Sequence, residues 1–142
     1  YEVPAELLAK IQSVFGCGWA SEDEVRAAIK SCWDANGYVI DPHTACGYHV
    51  FEQVAPAEGA KARVLLSTAS PYKFAADVLT AVAGKNAVAG LDAFACSDEL
   101  EARSGMPVPQ QVKALRSLPI RHTAHCEKGG MAQAVLDAFG GK

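Results

Sequence analysis

The chain lacks any pair of cysteines at the CxxC spacing, and its five cysteines at 17, 32, 46, 96 and 126 are odd in number. That pattern speaks against a disulfide scaffold and for reduced thiols in a cytoplasmic protein. No apolar run approaches the roughly 20 residues that a bilayer span needs, so no membrane partner is expected. Basic charge is not in excess: the formal charge of −3 leaves no electrostatic footprint for nucleic acid. YEVPAELLAK at the amino terminus has neither the charged nor the apolar region of a signal peptide, and it has no initiator methionine, which points to a cut or processed chain. Long polar tracts, internal repeats and linker-like segments are also missing. Half of the 142 residues are hydrophobic and 20% are charged, enough to exclude disorder and to supply one core, so residues 1–142 are expected to form a single region.

Three possible metal ligands do fall close together in His122-Thr123-Ala124-His125-Cys126. On an extended segment His122 and His125 point to opposite faces, and no second ligand pair stands at zinc spacing, so no metal site is expected.

What is present is mostly helical periodicity. Pro4 to Phe15 aligns Leu7, Leu8, Ile11, Val14 and Phe15 on one face. Ser21-Glu22-Asp23-Glu24 is a capping box that starts a helix with Val25, Ile29, Cys32 and Trp33 inward, and Asn36-Gly37 supplies its left-handed stop. Tyr38-Val39-Ile40 reads as a short extended piece ended by Asp41-Pro42, and His43 to Val54 as a helix apolar around much of its circumference and hence buried. Further helices are expected over Pro71–Ala83, with Phe74, Val78 and Val82 inward, over Asp92–Arg103, over a short stretch to Leu118, and over Met131–Phe139. Lys85–Gly90 reads as a loop and Pro119–Cys126 as extended.

The segment Arg63 to Phe74, RVLLSTASPYKF, is the chemically suggestive one. Val64, Leu65 and Leu66 read as a short parallel strand covered on both faces, stopping at Ser67-Thr68-Ala69-Ser70, with Pro71 where a helix prefers its first residue. In open α/β sheets, ligands bind beyond the carboxyl ends of strands, near helix N-termini, so this small polar cluster is a candidate cofactor contact. Six or seven helices against two or three short strands leave such a strand without neighbours to pair its backbone. The expected fold class is therefore α/β, a helix-rich part of a larger domain with a few short strands.

Several segments together carry a resemblance. GYVIDPHTA (37–45) and LSTASPYKF (66–74), preceded by SEDEVRAAIK and followed by GMPVPQQVKAL and PIRHTAHCEKGGMAQAVLDAF, are similar in kind and order to the carboxyl-terminal part of threonine synthase. The resemblance covers nearly the whole chain. It implies a lyase of the fold-type II pyridoxal-phosphate class that converts O-phospho-L-homoserine and water to L-threonine and phosphate in threonine biosynthesis. It also implies that the large domain is completed by an N-terminal remainder of the same protein. The family's cofactor-anchoring lysine and the Gly/Asn-rich loop that grips the cofactor phosphate have no counterpart here, so no catalytic residue is assigned and the isolated chain is expected to be inactive. Lys73 does not match the anchoring lysine and reads as a solvated lysine of the first helical turn.

By resemblance, Thr68 corresponds to the hydroxyl residue that contacts the pyridine nitrogen, with Ser70 the second choice. An alcohol can hydrogen-bond that nitrogen without placing full charge beside it, as a carboxylate would. The bland alternative is that Thr68 satisfies a backbone group at a strand end. Asp41 and Thr44 read as caps of the following helix; His43 is either part of that device or an acid–base group, and His49 a hydrogen-bonded core histidine. A stand-alone interaction or regulatory module that keeps the fold without the chemistry, and a small helical protein with an unrelated ligand, are the rival readings.

Overall fold

A computed structural model describes residues 2–56 and 58–140. The first helix, α1 (Ala5–Gln12), is short and leaves its apolar stripe exposed: Leu7, Leu8 and Ile11, then Val14 and Phe15 beyond its end, all face outward. The second, α2 (Glu22–Asn36), begins with the expected capping box. The Ser21 hydroxyl accepts from the Glu24 amide, and the Glu24 carboxylate accepts from the Ser21 amide at 2.7 Å. It stops at Gly37, whose φ of 62° is the left-handed turn that glycine adopts without a Cβ clash. Ala28, Ile29 and Cys32 are buried, with Val25 and Trp33 packed against them.

Val39 and Ile40 are buried and lead directly into α3 (Pro42–Gln53). Only Thr44 and Ala45 of α3 are buried; from Cys46 to Phe51 the helix is half-buried. Its apolar circumference thus exceeds the cover available. A 3₁₀ turn (Pro71–Phe74) then feeds α4 (Ala75–Ala83), where Val78 and Leu79 are fully buried and Phe74 and Val82 lean on the core. The expected inward face holds, and Leu79 adds a second buried contact with Ala75 and Cys96. Lys85–Val88 forms a single 3₁₀ turn where a loop is expected. The helix α5 (Ala93–Ser104) is capped by Asp92 and ended by Gly105, α6 (Gln110–Ala114) continues as a 3₁₀ turn to Ser117, and α7 (Met131–Phe139) closes the described chain.

The core lies among α2, α3, α4 and α5, filled by Ile29, Val39, Val78 and Leu100 and closed by Tyr72 and Val108. The helix-rich character agrees with expectation. The few short strands do not form: no strand occurs among the described residues, and Tyr38–Ile40, 63–68 and Pro119–Cys126 run as irregular or extended chain. Val64 is 78% and Leu66 76% exposed, the opposite of a strand covered on both faces. A strand needs a neighbour to take its amides and carbonyls, and among the described residues none of these segments pairs with another: 63–68 and Pro119–Cys126 are largely exposed to water, whereas Val39 and Ile40 are buried by side-chain packing alone. Among Val64, Leu65 and Leu66, it is Leu65 that turns back toward α3, where its Cδ1 lies 3.1 Å from the position a Cβ would take at Gly47.

Candidate functional site at the 67–73 turn

The site starts from Asp41. This residue is completely buried and extended in backbone, the conformation of an N-cap, with Pro42 supplying the first helical residue of α3. One carboxyl oxygen accepts from the His43 amide at 2.9 Å and the Thr44 amide at 3.3 Å; the other accepts from the Thr44 hydroxyl. With its own proton committed to Asp41, the Thr44 hydroxyl is the acceptor for Ser67, whose oxygen lies 3.1 Å away. This chain of hydroxyls pins the 67–70 turn to the start of α3, across a separation that no sequence pattern marks. Asp41 is the cap, as expected, whereas Thr44 does not cap but donates its hydroxyl to the capping carboxylate; the link to Ser67 is the part that sequence reasoning missed. Its only signal is the density of hydroxyls in STAS.

Ser70 caps the 3₁₀ turn by accepting from the Tyr72 amide at 3.3 Å. Tyr72 is buried and its hydroxyl donates to the Met106 carbonyl, which fastens the turn to the break after α5. Burial pushes the Tyr72 phenol above its ordinary range, partly offset by a hydrogen bond from Ser104, so it remains a protonated donor there. Ser70, Tyr72, Lys73, Phe94 and Ser97 line a cleft of about 460 Å³, and Thr68 is not part of that wall. Thr68 itself is exposed, and among the described residues its hydroxyl makes no hydrogen bond. Reading Thr68 and Ser70 as successive positions of one pleated face does not hold, because the segment is not a strand. Lys73 is exposed, its ammonium 5.6 Å from the Phe74 ring centre, and the Phe74 ring meets His43 edge-on at 5.1 Å. His43 is exposed and His49 is half-buried at the α2–α3 edge, 3.6 Å from Glu24 and 2.6 Å from the Gln53 amide nitrogen, so His49 is bonded but not a core residue.

An exposed hydroxyl with no hydrogen bond among the described residues, as at Thr68, can pair with a ring nitrogen. His122, His125 and Cys126 are exposed, and no group of three metal-ligating side chains assembles among the described residues. No helix among them is long and apolar enough to cross a membrane.

The cleft is braced by charge. Glu101 accepts from Lys113 at 3.0 Å and from the Val108 amide at 3.1 Å, and Arg116 donates to Asp98 and to the Phe94 carbonyl. The Lys113 hydrogen bond, followed by the Val108 amide, holds the Glu101 carboxyl below its ordinary range. The depressed folded value means that this bond stabilises the fold fully above the ordinary carboxylate range and is lost as pH falls through the folded value. Glu101→Gln is therefore expected to flatten the acid limb of a melting-temperature profile while leaving the neutral limb nearly level. An acid limb identical to that of the unsubstituted chain removes Glu101 from this role.

Helices packed about a common core, with a hydroxyl-rich turn leading into a capped helix, define a helix-rich domain portion. Comparison with known proteins makes the placement specific. The family described as "Threonine synthase, C-terminal" matches residues 44–135, which runs from Thr44 in α3 through the 67–73 turn and into α7. The chain belongs to that family. It is 34% identical over 83 residues to threonine synthase-like 1 of Homo sapiens, covering 58% of this chain and 11% of that protein. The corresponding protein of Mus musculus is 35% identical over 77 residues, covering 54% of this chain and 10% of that one. The chain thus spans about a tenth of the length of the curated relatives it matches.

Proposed function

We propose that this chain is the carboxyl-terminal part of a pyridoxal-phosphate-dependent threonine synthase, which converts O-phospho-L-homoserine and water to L-threonine and phosphate in the cytoplasm. The observation that carries the reading is the match over residues 44–135, which includes the exposed Thr68 hydroxyl and the Ser67–Thr44 hydrogen bond beside it. The cofactor, when bound, supplies an electron sink for elimination of phosphate and addition of water. Thr68 meets its pyridine nitrogen, Ser70 being the second choice. Asp41 and Thr44 act one step back, holding Ser67 and so the turn that carries Thr68. The five free cysteines suit a reducing compartment.

The partner is the N-terminal remainder of the same protein. Surface area supports this: the chain exposes 10926 Å², whereas a folded monomer of 14.9 kDa presents about 7000 Å². The excess is of the size that permanent interfaces bury. Exposed Val64 and Leu66, and the apolar stripes of α1 and α7, are the faces such a remainder would cover.

The chain by itself holds no catalytic residue, and its expected behaviour is inertness. Mixed with pyridoxal phosphate and reduced with borohydride, it should carry no stoichiometric adduct on peptide mapping and should release no phosphate from O-phospho-L-homoserine. An adduct on Lys73 overturns the assignment of inactivity. The intact mass of the native protein distinguishes the alternative, a stand-alone non-catalytic module: a native start near Tyr1 supports that module, and an upstream lysine motif supports the synthase.

A further inference from the structure

Two cysteines from separate elements face one depression. Cys17, exposed in the segment after α1, and Cys46, half-buried on α3, both line a hollow of about 410 Å³. The segment around Cys17 is pressed onto α3: a methyl group built on Gly18 would sit 2.6 Å from Val50 Cγ1, so only glycine permits the approach. Cys46 and Val50 are four residues apart on the same helix and share a face, with Cβ atoms about 5–6 Å apart. Cys17 is the immediate neighbour of Gly18. The packing therefore brings Cys17 and Cys46 to one hollow, with Gly16 and Gly18 on either side of Cys17; a disulfide needs Cα atoms about 4.4–6.8 Å apart.

The remaining thiols differ. Cys32 and Cys96 are buried, and burial pushes both above the ordinary thiol range, which makes them poor nucleophiles. Cys126 is exposed but lies before α7, far along the chain from the hollow.

We propose that Cys17 and Cys46 are a peroxide-responsive thiol pair that closes to a reversible disulfide, fastening the segment after α1 to α3. The oxidant is hydrogen peroxide. Cys17, the more exposed, attacks a peroxide oxygen; the S–O bond forms as the O–O bond breaks, leaving a sulfenic acid and hydroxide. The Cys46 thiolate then attacks that sulfur, forming the S–S bond and expelling a second hydroxide. The two protons released by the thiols convert both hydroxides to water. Two electrons leave the sulfur pair and reduce one peroxide to two waters.

The test treats the native protein with hydrogen peroxide in the absence of reductant, blocks remaining thiols by alkylation and maps the peptides. The expected product joins the Cys17 peptide to the Cys46 peptide, lower by the mass of two hydrogen atoms, and dithiothreitol separates them. In Cys46→Ser, dimedone labelling of Cys17 should rise about tenfold, because no second thiol removes the sulfenic acid. Cys46→Ala serves equally if the serine perturbs α3. Oxidation of Cys17 to the sulfinic acid while Cys46 stays free to alkylate overturns the proposal, as does a disulfide from either residue to Cys126. Neither readout depends on catalytic activity, so failure here leaves the synthase reading untouched.

Discussion

Asp41→Ala is expected to destabilise this fold by about 2–4 kcal/mol, the combined cost of losing a helix cap and of stranding buried donors. The residue is fully buried and serves two backbone amides and the Thr44 hydroxyl, so removing its carboxyl leaves groups that water cannot reach. Urea unfolding should show a lower midpoint at an unchanged slope. Asp41→Asn keeps one acceptor oxygen for the cap but faces the Thr44 hydroxyl with an amide, so its loss should be about half as large. A second consequence separates this from a simple cap. Because Thr44 accepts from Ser67, loss of Asp41 should raise amide exchange at 67–70 together with that at 43–45. Protected exchange at 67–70 in a destabilised Asp41→Ala chain would break the proposed link between α3 and the turn.

Thr68→Val in the complete protein is expected to lower turnover roughly ten- to a hundredfold, at about 1.4 kcal/mol per decade. The substitution keeps the shape and removes a hydroxyl that, among the described residues, has no bond of its own to lose, so the fold should be unaffected. Under the proposed function the loss is that of a hydrogen-bond partner of the cofactor's ring nitrogen, about 1–3 kcal/mol. Thr68→Asp should act differently, favouring the protonated ring and shifting the absorption spectrum of the bound cofactor. Ser70→Ala removes the acceptor for the Tyr72 amide and should cost about 0.5–2 kcal/mol of stability with a milder effect on turnover. If Thr68→Val leaves spectrum and turnover unchanged while Ser70→Ala abolishes them, the ring contact belongs to Ser70 and to the cleft it lines.

Local devices were legible in the residues because their energetics are local. The Ser21–Glu24 capping box, the stop at Gly37, the Asp41 cap, the Ser70 cap before Pro71 and the terminal helix at Met131–Phe139 each rest on side chains within a few positions of the backbone groups they satisfy. The family resemblance was legible for a similar reason: ordered motifs survive in a single chain whether or not their neighbours are present. Strand formation was not. Val64-Leu65-Leu66 has the composition of a buried strand, yet pairing depends on a second strand that no local pattern can provide.

By itself the sequence determined that this is a helix-rich member of the threonine synthase carboxyl-terminal family, with a hydroxyl cluster at 67–70. Tertiary structure alone decided which hydroxyls are committed and which are free. Ser67 is bound to Thr44 across 23 residues, Ser70 is turned into the cleft as a cap, and Thr68 stands exposed. Only tertiary structure, too, seated Cys17 beside Cys46, through the close approach of Gly18 to Val50. The physical reason is common to both. Caps and periodicities are short-range and repeat along the chain, whereas a hydrogen bond between hydroxyls or a meeting of thiols depends on how the helices pack.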